Sequence, residues 1–328
     1  MQSSGNPAGA HGRADLAKPD RPSAGGGGAD GLKSAAMSAS SPASVPGAPR
    51  LTAARCELLR EIRIVDEHGE PRSIHIPAER PLTVFVDKRE LVTLMTLGAL
   101  PELLVLGYLC NQGLIERADE LHSITVDWDV AAAAVKTHRG ITDLERKTAT
   151  RVVTTGCGQG TVFGDLMSQV DALRLPDAAA ARISQSTLYR VLETMRQQDS
   201  IHRKAGSVHG CALFQQGRML MFVEDVGRHN AIDTITGWMA LHGVPGEDKV
   251  FYTTGRLTSE MVMKSARIGV PIVVSRNGVT AMGHEMAERL GMTLFGRAAN
   301  RHFLCYTGFE RFDAEPEPRR AAVRVVAG

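Results

Sequence analysis

The stretch Lys249-Val250-Phe251-Tyr252-Thr253-Thr254-Gly255-Arg256-Leu257-Thr258-Ser259 carries the change from strand to helix on which the fold turns. Lys249 to Thr253 is rich in β-branched and aromatic residues, which suits a strand. A polar loop with one glycine follows, and Ser259 to Ile268 then spaces its apolar residues at helical intervals. The unit recurs downstream as strand Pro271 to Ser275, helix Thr280 to Leu290 and strand Met292 to Phe295. A helix from Arg228 to Leu241 precedes the series, and Phe303 to Tyr306 adds a last strand. Strands alternating with amphipathic helices predict an α/β layer with a parallel portion.

Moving toward the N-terminus, Ser186 is placed to cap a helix carrying Leu188, Val191, Leu192 and Met195 at core spacing. Gln216-Gly217 reads as a hairpin turn between Ala212-Leu213-Phe214 and a return strand, Met219 to Val223. Further upstream, Cys56 to Val65, Ser73 to Ile76 and Leu82 to Val86 read as strands, with a turn at Asp66 to Gly69. Pro101 opens a short apolar helix ending near Cys110, with Gly113 beyond it. Ile124, Val126 and Trp128 alternate with polar residues as another strand. This half is expected to be a β-rich lobe with one buried helix, with structure beginning near Arg55. The expected division is a disordered extension over 1–50, a β-rich lobe over 51–175, an α/β domain over 176–312 and a flexible tail over 313–328. The extension is mostly Gly, Ala, Ser and Pro without an aromatic residue, so it cannot bury enough surface to offset its ordering entropy.

The 328 residues carry a formal net charge of +2, which makes no electrostatic case for nucleic acid. No apolar run is long enough to cross a bilayer, and no compact secretory h-region is present. Five scattered cysteines, Cys56, Cys110, Cys157, Cys211 and Cys305, form no C-x-x-C pair. That excludes a disulfide framework and a zinc knuckle, and a cytoplasmic location is expected.

Chemistry concentrates in a few stretches. Thr154-Thr155-Gly156-Cys157-Gly158-Gln159-Gly160 puts a cysteine between glycines, which can neither bury it nor restrict the backbone. It reads either as a reactive thiol at the tip of a mobile loop or as a glycine-rich turn that holds a cysteine. Glu224-Asp225-Val226-Gly227-Arg228-His229-Asn230 packs hydrogen-bonding side chains where a strand gives way to a helix, the usual ligand edge of an α/β sheet. Asp225, Arg228, His229 and Asn230 are candidates to cap that helix, hold a ligand or orient a loop. Arg256 lies after one strand and Arg276 after the next, and Gly296 to His302 forms a third polar loop with Arg297 and Arg301. Helix starts attract anions and arginines suit phosphate, so three such loops predict an extended site for a ligand with several phosphates. His209 sits in a glycine-flanked loop. His284-Glu285 lacks a second histidine at metal spacing and reads as structural. The zinc-deaminase signature is absent, and no metal ligands are assigned.

Glu224 to Asp233, together with Gly255-Arg256-Leu257-Thr258-Ser259-Glu260-Met261-Val262-Met263-Lys264, resembles the FdhD family of formate dehydrogenase accessory sulfurtransferases. Leu106-Gly107-Tyr108-Leu109, Gly113-Leu114-Ile115 and Thr293-Leu294-Phe295-Gly296 are also similar to it. The resemblance covers about Arg55 to Arg311. It implies a sulfurtransferase that accepts sulfur from a cysteine desulfurase as a persulfide on Cys157. The sulfur then passes to the bis-molybdopterin guanine dinucleotide form of the molybdenum cofactor, for use by formate dehydrogenase. The family loop commonly reads C-G-x-C-G, and Gly160 stands at its second cysteine. The cofactor-contacting segment corresponds to Arg297, Ala298, Ala299, Asn300, Arg301 and His302, and the family's Gly-Gly-x-His stretch to Gly206-Ser207-Val208-His209. Arg256, Arg276, Asp225, Arg228 and His229 complete the expected cofactor site. The resemblance also implies a cytidine-deaminase-like three-layer α/β/α fold without the zinc, and a homodimer. Two rival readings stand beside it: a chaperone that holds the cofactor without transferring sulfur, and a nucleotide hydrolase or deaminase.

Overall fold

The structure, a computed structural model, describes residues 43–141, 170 and 172–315. The Cys157 loop, nearly all of the extension and most of the tail lie outside the described residues. Elements run in the order β1 Arg50–Leu51, β2 Leu59–Val65, β3 Pro71–Pro77, β4 Arg80–Val86, β5 Arg89–Thr96, α1 Pro101–Asn111, β6 Leu121–Asp127 and β7 Ala132–Thr137. After the undescribed segment come β8 Ile183–Ser184, α2 Gln185–Gln197, α3 Ile201–Ala205, β9 His209–Gln215 and β10 Arg218–Asp225. The chain continues through α4 Arg228–His242, β11 Lys249–Thr253, α5 Ser259–Arg267, β12 Ile272–Ser275, α6 Ala281–Leu290, β13 Thr293–Ala299, β14 His302–Thr307 and β15 Phe312–Asp313. The fold is mixed α/β.

Among the described residues two large sheets dominate, ordered β1-β6-β7-β4-β5 and β10-β9-β11-β12-β13-β14. In the second, β11, β12 and β13 are parallel, with Val250 opposite Ile272 and Ile272 opposite Thr293. Strand β9 runs antiparallel between β10 and β11. The carboxyl ends of β10, β11, β12 and β13 and the amino end of β9 therefore share one edge. Successive side chains of a strand face opposite sides. Ala212, Phe214, Val250 and Tyr252 accordingly pack with Leu188, Val191 and Leu192 of α2, while Cys211, Leu213 and Phe251 join the core formed with α4, α5 and α6.

Helix α4 departs from the amphipathic pattern. It is buried nearly all round, because the sheet covers one side and α1 the other. The two helices approach closely at two glycines. A Cβ on Gly107 would lie 1.7 Å from the Asp233 carbonyl oxygen, and one on Gly237 would lie 2.0 Å from that of Leu103. Helix α1 in turn lies against the first sheet, through Leu104, Val105, Leu106 and Leu109.

Several boundaries differ from expectation. Structure begins before Arg55: β1 pairs in parallel with β6, and the Glu102 carboxylate accepts bonds of 2.7 Å from both Thr52 Oγ1 and the Ala54 amide. The cap of α2 is Ser184, whose Oγ accepts from the Thr187 amide, while Ser186 lies inside the helix. Strands β5 and β7 were not anticipated. The run Ala131 to Ala134 has high helix propensity, but β7 inserts between β4 and β6, where packing decides. Strand β15 pairs with β8, which places Asp313, the first residue of the expected tail, in a strand. No described helix is long and apolar enough to cross a membrane.

Candidate functional site

The shared strand edge is built from loops that hydrogen-bond to one another. Thr253 Oγ1 accepts from the Gly255 amide at 3.0 Å, and Ser275 Oγ donates to the Gly255 carbonyl at 2.6 Å. Asn277 Nδ2 donates to the Thr254 carbonyl at 2.8 Å, and the Arg297 amide donates to the Asn277 carbonyl at 2.8 Å. Each loop is thus tied to the next. Gly255 leaves room for Arg228, since a Cβ there would lie 2.8 Å from Arg228 Cδ.

Arg256, Arg276 and Arg297 are all exposed along this edge. Strand β13 runs on to Ala299, where Phe295 was the expected end, and its pairing with β14 is irregular between Gly296 and Ala299. Arg297 sits in that irregularity with φ +52°, so it belongs to the end of a strand rather than to a free loop. Asn300, with φ +54°, and Arg301 form the turn into β14. Arg301 lies over the Tyr189 ring of α2 at 5.0 Å. His302 is exposed, Ala299 is half-buried, and the Ala298 side chain is buried, which leaves Ala298 only its backbone to offer a ligand.

Asp225 is taken up by the protein. Its Oδ2 accepts from Thr96 Oγ1 and the Leu97 amide, and its Oδ1 from the Gly227 amide and Asn230 Nδ2. Asn230 Nδ2 also donates to the Met95 carbonyl at 2.7 Å. Together they pin the end of β5 to the start of α4. Burial raises the Asp225 carboxyl despite its four donors. His209, on the neighbouring strand, has Nδ1 3.4 Å from Thr254 Oγ1. Burial lowers its pKa, and Arg228, His202, His229 and Arg256 add to that, so it is neutral at pH 7. The edge gathers His209, Arg228, His229, Arg256, Arg276 and Arg297, while Asp225 serves the scaffold behind them.

Behind His229 lies a buried polar chain with no role assigned from sequence. His229 Nδ1 is 3.2 Å from Glu260 Oε1, Glu260 is 3.7 Å from Lys264 Nζ, and Lys264 Nζ donates to Asp233 Oδ2 at 2.8 Å. Asn111 of α1 donates to Asp233 Oδ1 at 2.7 Å. The signal available in sequence was spacing: His229 and Asp233 stand four apart on one helix, and Glu260 and Lys264 four apart on another.

The four described thiols are all held protonated. Burial pushes Cys110 and Cys211 up to about 12 and Cys305 up to about 11, and it raises Cys56 despite Arg80. Among the described residues no group of three His, Cys, Asp or Glu is placed to hold a metal ion.

Fold and site together define a mixed α/β protein whose parallel strands end in an edge lined by exposed arginines. A family model described as the FdhD/NarQ family matches residues 77–313. The chain is 34% identical over 234 residues to a protein named sulfur carrier protein FdhD from Bacillus licheniformis, covering 71% of this chain and 88% of the relative. The Bacillus subtilis protein of that name is 32% identical over 248 residues, covering 75% and 94%. A crystal structure from Desulfotalea psychrophila, assigned as a formate dehydrogenase accessory protein, superposes with a TM-score of 0.62 at 25% identity, covering 78% of this chain and 98% of that one. The chain belongs to the FdhD/NarQ family.

Proposed function

We propose that this protein is a sulfurtransferase serving formate dehydrogenase. It accepts sulfur from a cysteine desulfurase as a persulfide on Cys157 and passes it to the molybdenum cofactor in its bis-molybdopterin guanine dinucleotide form. The observation that carries this reading is the row of exposed arginines at the ends of β11, β12 and β13, in a chain whose relatives are named sulfur carriers. A dinucleotide cofactor brings pyrophosphates, and guanidinium groups bind phosphate oxygens through paired N–H donors. Arg256, Arg276 and Arg297 hold these groups, with Asn300, Arg301 and His302 beside them. The four described thiols support Cys157 as the carrier, because sulfur exchange needs a thiolate and burial suppresses theirs. The reading includes a cytoplasmic homodimer whose second sheet and flanking helices are arranged as in cytidine deaminases. Gly160, where the family commonly has a second loop cysteine, favours an alternative: a chaperone that holds the cofactor without transferring sulfur.

The two readings separate by intact-protein mass spectrometry after incubation with a cysteine desulfurase and cysteine. Sulfur transfer predicts one added sulfur on the wild type, removable by reductant and absent from Cys157→Ala. A wild type without added sulfur, beside a known acceptor that gains it, leaves the chaperone.

A further inference from the structure

We infer that the outer edge of β2 is the surface through which two copies of this chain pair, β2 running antiparallel to β2 of the second copy about a two-fold axis at Ile62. The inference rests on the homodimer proposed above and names its interface.

Strands β2 and β3 form a two-stranded ribbon that joins neither large sheet. Such a ribbon is marginally stable alone in water and leaves two unpaired edges. The two edges differ. Leu59 stands opposite Pro77, Ile62 opposite Ile74 and Val65 opposite Pro71. The ladder continues past both ends, where the Ala78 amide donates to the Leu58 carbonyl and the Asp66 amide to the Glu70 carbonyl. Hydrogen-bonded pairs alternate along an antiparallel ladder, so Arg60, Ile62 and Ile64 point their amides and carbonyls at β3. The outward residues of β3 are then Pro71, Ser73, His75 and Pro77, and its two prolines have no N–H to offer. Helix α3 also lies against β3. The outward residues of β2 are Leu59, Glu61, Arg63 and Val65, and all four carry an N–H. No described strand pairs with this edge, and Val65 is 67% exposed.

The charges select a second copy of this chain and a single register. With the axis at Ile62, Leu59 meets Val65 of the second copy and Glu61 meets its Arg63, and the symmetry repeats both pairs. All four outward residues then exchange bonds, about eight backbone hydrogen bonds in total. Moving the axis to Glu61 or to Arg63 sets two glutamates or two arginines directly opposite each other, which is unfavourable. On the other face Ile62 meets its own counterpart at the closer, non-hydrogen-bonded spacing. Ile74, beside Ile62 on β3 and 41% exposed, extends the apolar strip. The contact closes on itself. Two ribbons become one four-stranded sheet whose outer edges are the proline-bearing ones, so assembly stops at two copies.

The test is sedimentation equilibrium of the full chain over a range of concentrations. The samples are the wild type, Glu61→Arg, Arg63→Glu and an equimolar mixture of the two variants. Both residues are exposed, so neither substitution disturbs the fold. Each variant sets like charges opposite at both repeats of the pair in its own dimer, and dimerisation is expected to weaken about tenfold. In the mixture one chain carries arginine at both positions and the other glutamate at both, so every such pair is again of opposite charge. Dimerisation is expected to recover there to the wild-type level, which misfolded variants could not produce. A wild-type dimer whose variants are unchanged, or weakened without recovery in the mixture, overturns the inference and leaves a homodimer through another surface. A wild type that stays monomeric at every concentration removes the homodimer itself.

Discussion

At the residue scale, the buried charges divide between scaffold and edge. Asp225 was a candidate ligand residue because it stands in a polar cluster at a strand end, yet its oxygens are filled by Thr96, Leu97, Gly227 and Asn230. Glu260 was quoted only as part of a motif, yet it stands directly behind His229. Its ionised state also leaves a mark on stability. The folded-state pKa is depressed below the usual 4.5, so the native state binds the proton less readily than the unfolded chain. The stabilisation it confers is present above that value and is lost as pH falls through the folded pKa. Denaturant midpoints should show Glu260→Gln less stable than wild type at pH 7, with the gap narrowing as pH falls below 4.5. A gap that is constant with pH would assign Glu260 no net charge interaction in the folded state.

At the scale of elements, the crossing of α1 on α4 joins the two sheets' cores. Gly107 and Gly237 bring the backbones together at a distance no side chain permits. Gly107→Ala would place a methyl group against the Asp233 carbonyl, which is backbone and cannot rotate away. The helices must part, and the bonds from Asn111 to Asp233 and Thr236 stretch with them. We expect a loss of about 3 kcal/mol, the upper end of overpacking costs, read as a fall in the urea midpoint. An unchanged midpoint would mean that the crossing is not held as described.

At the scale of the whole molecule, the edge works because strands distant in sequence end side by side. The parallel pairing of β11, β12 and β13 brings forward Arg256, Arg276 and Arg297, which are separated by 20 positions or more in the chain. The three are exposed, so replacing each by alanine should move stability by no more than about 0.5 kcal/mol. Binding is where their loss should register. With GDP as the probe, each substitution is expected to weaken affinity about tenfold, consistent with losing one charge-assisted contact. The triple variant should lose most of the salt dependence of binding. Calorimetric titration of the folded variants checks this, and unchanged affinity in the triple variant would place the nucleotide elsewhere.

Local pattern was enough for the α/β series from Lys249 onward. Strands and helices alternate there at regular spacing with polar loops between them, and Lys249–Thr253 was read to the residue. The arginines of the edge were legible for the same reason, because the end of a strand and the start of a helix are local features. Other features depend on partners far along the chain. Strand β7 has an alanine-rich sequence suited to a helix and becomes a strand only between β4 and β6. Helix α4 shows no single apolar face because two layers cover it. The task of Asp225 is set by Thr96 and Leu97, about 130 positions away. The pairing of His229 with Glu260 depends on α4 and α5 lying side by side. Propensity and periodicity describe neighbours in sequence, whereas burial and ion pairing follow from neighbours in space.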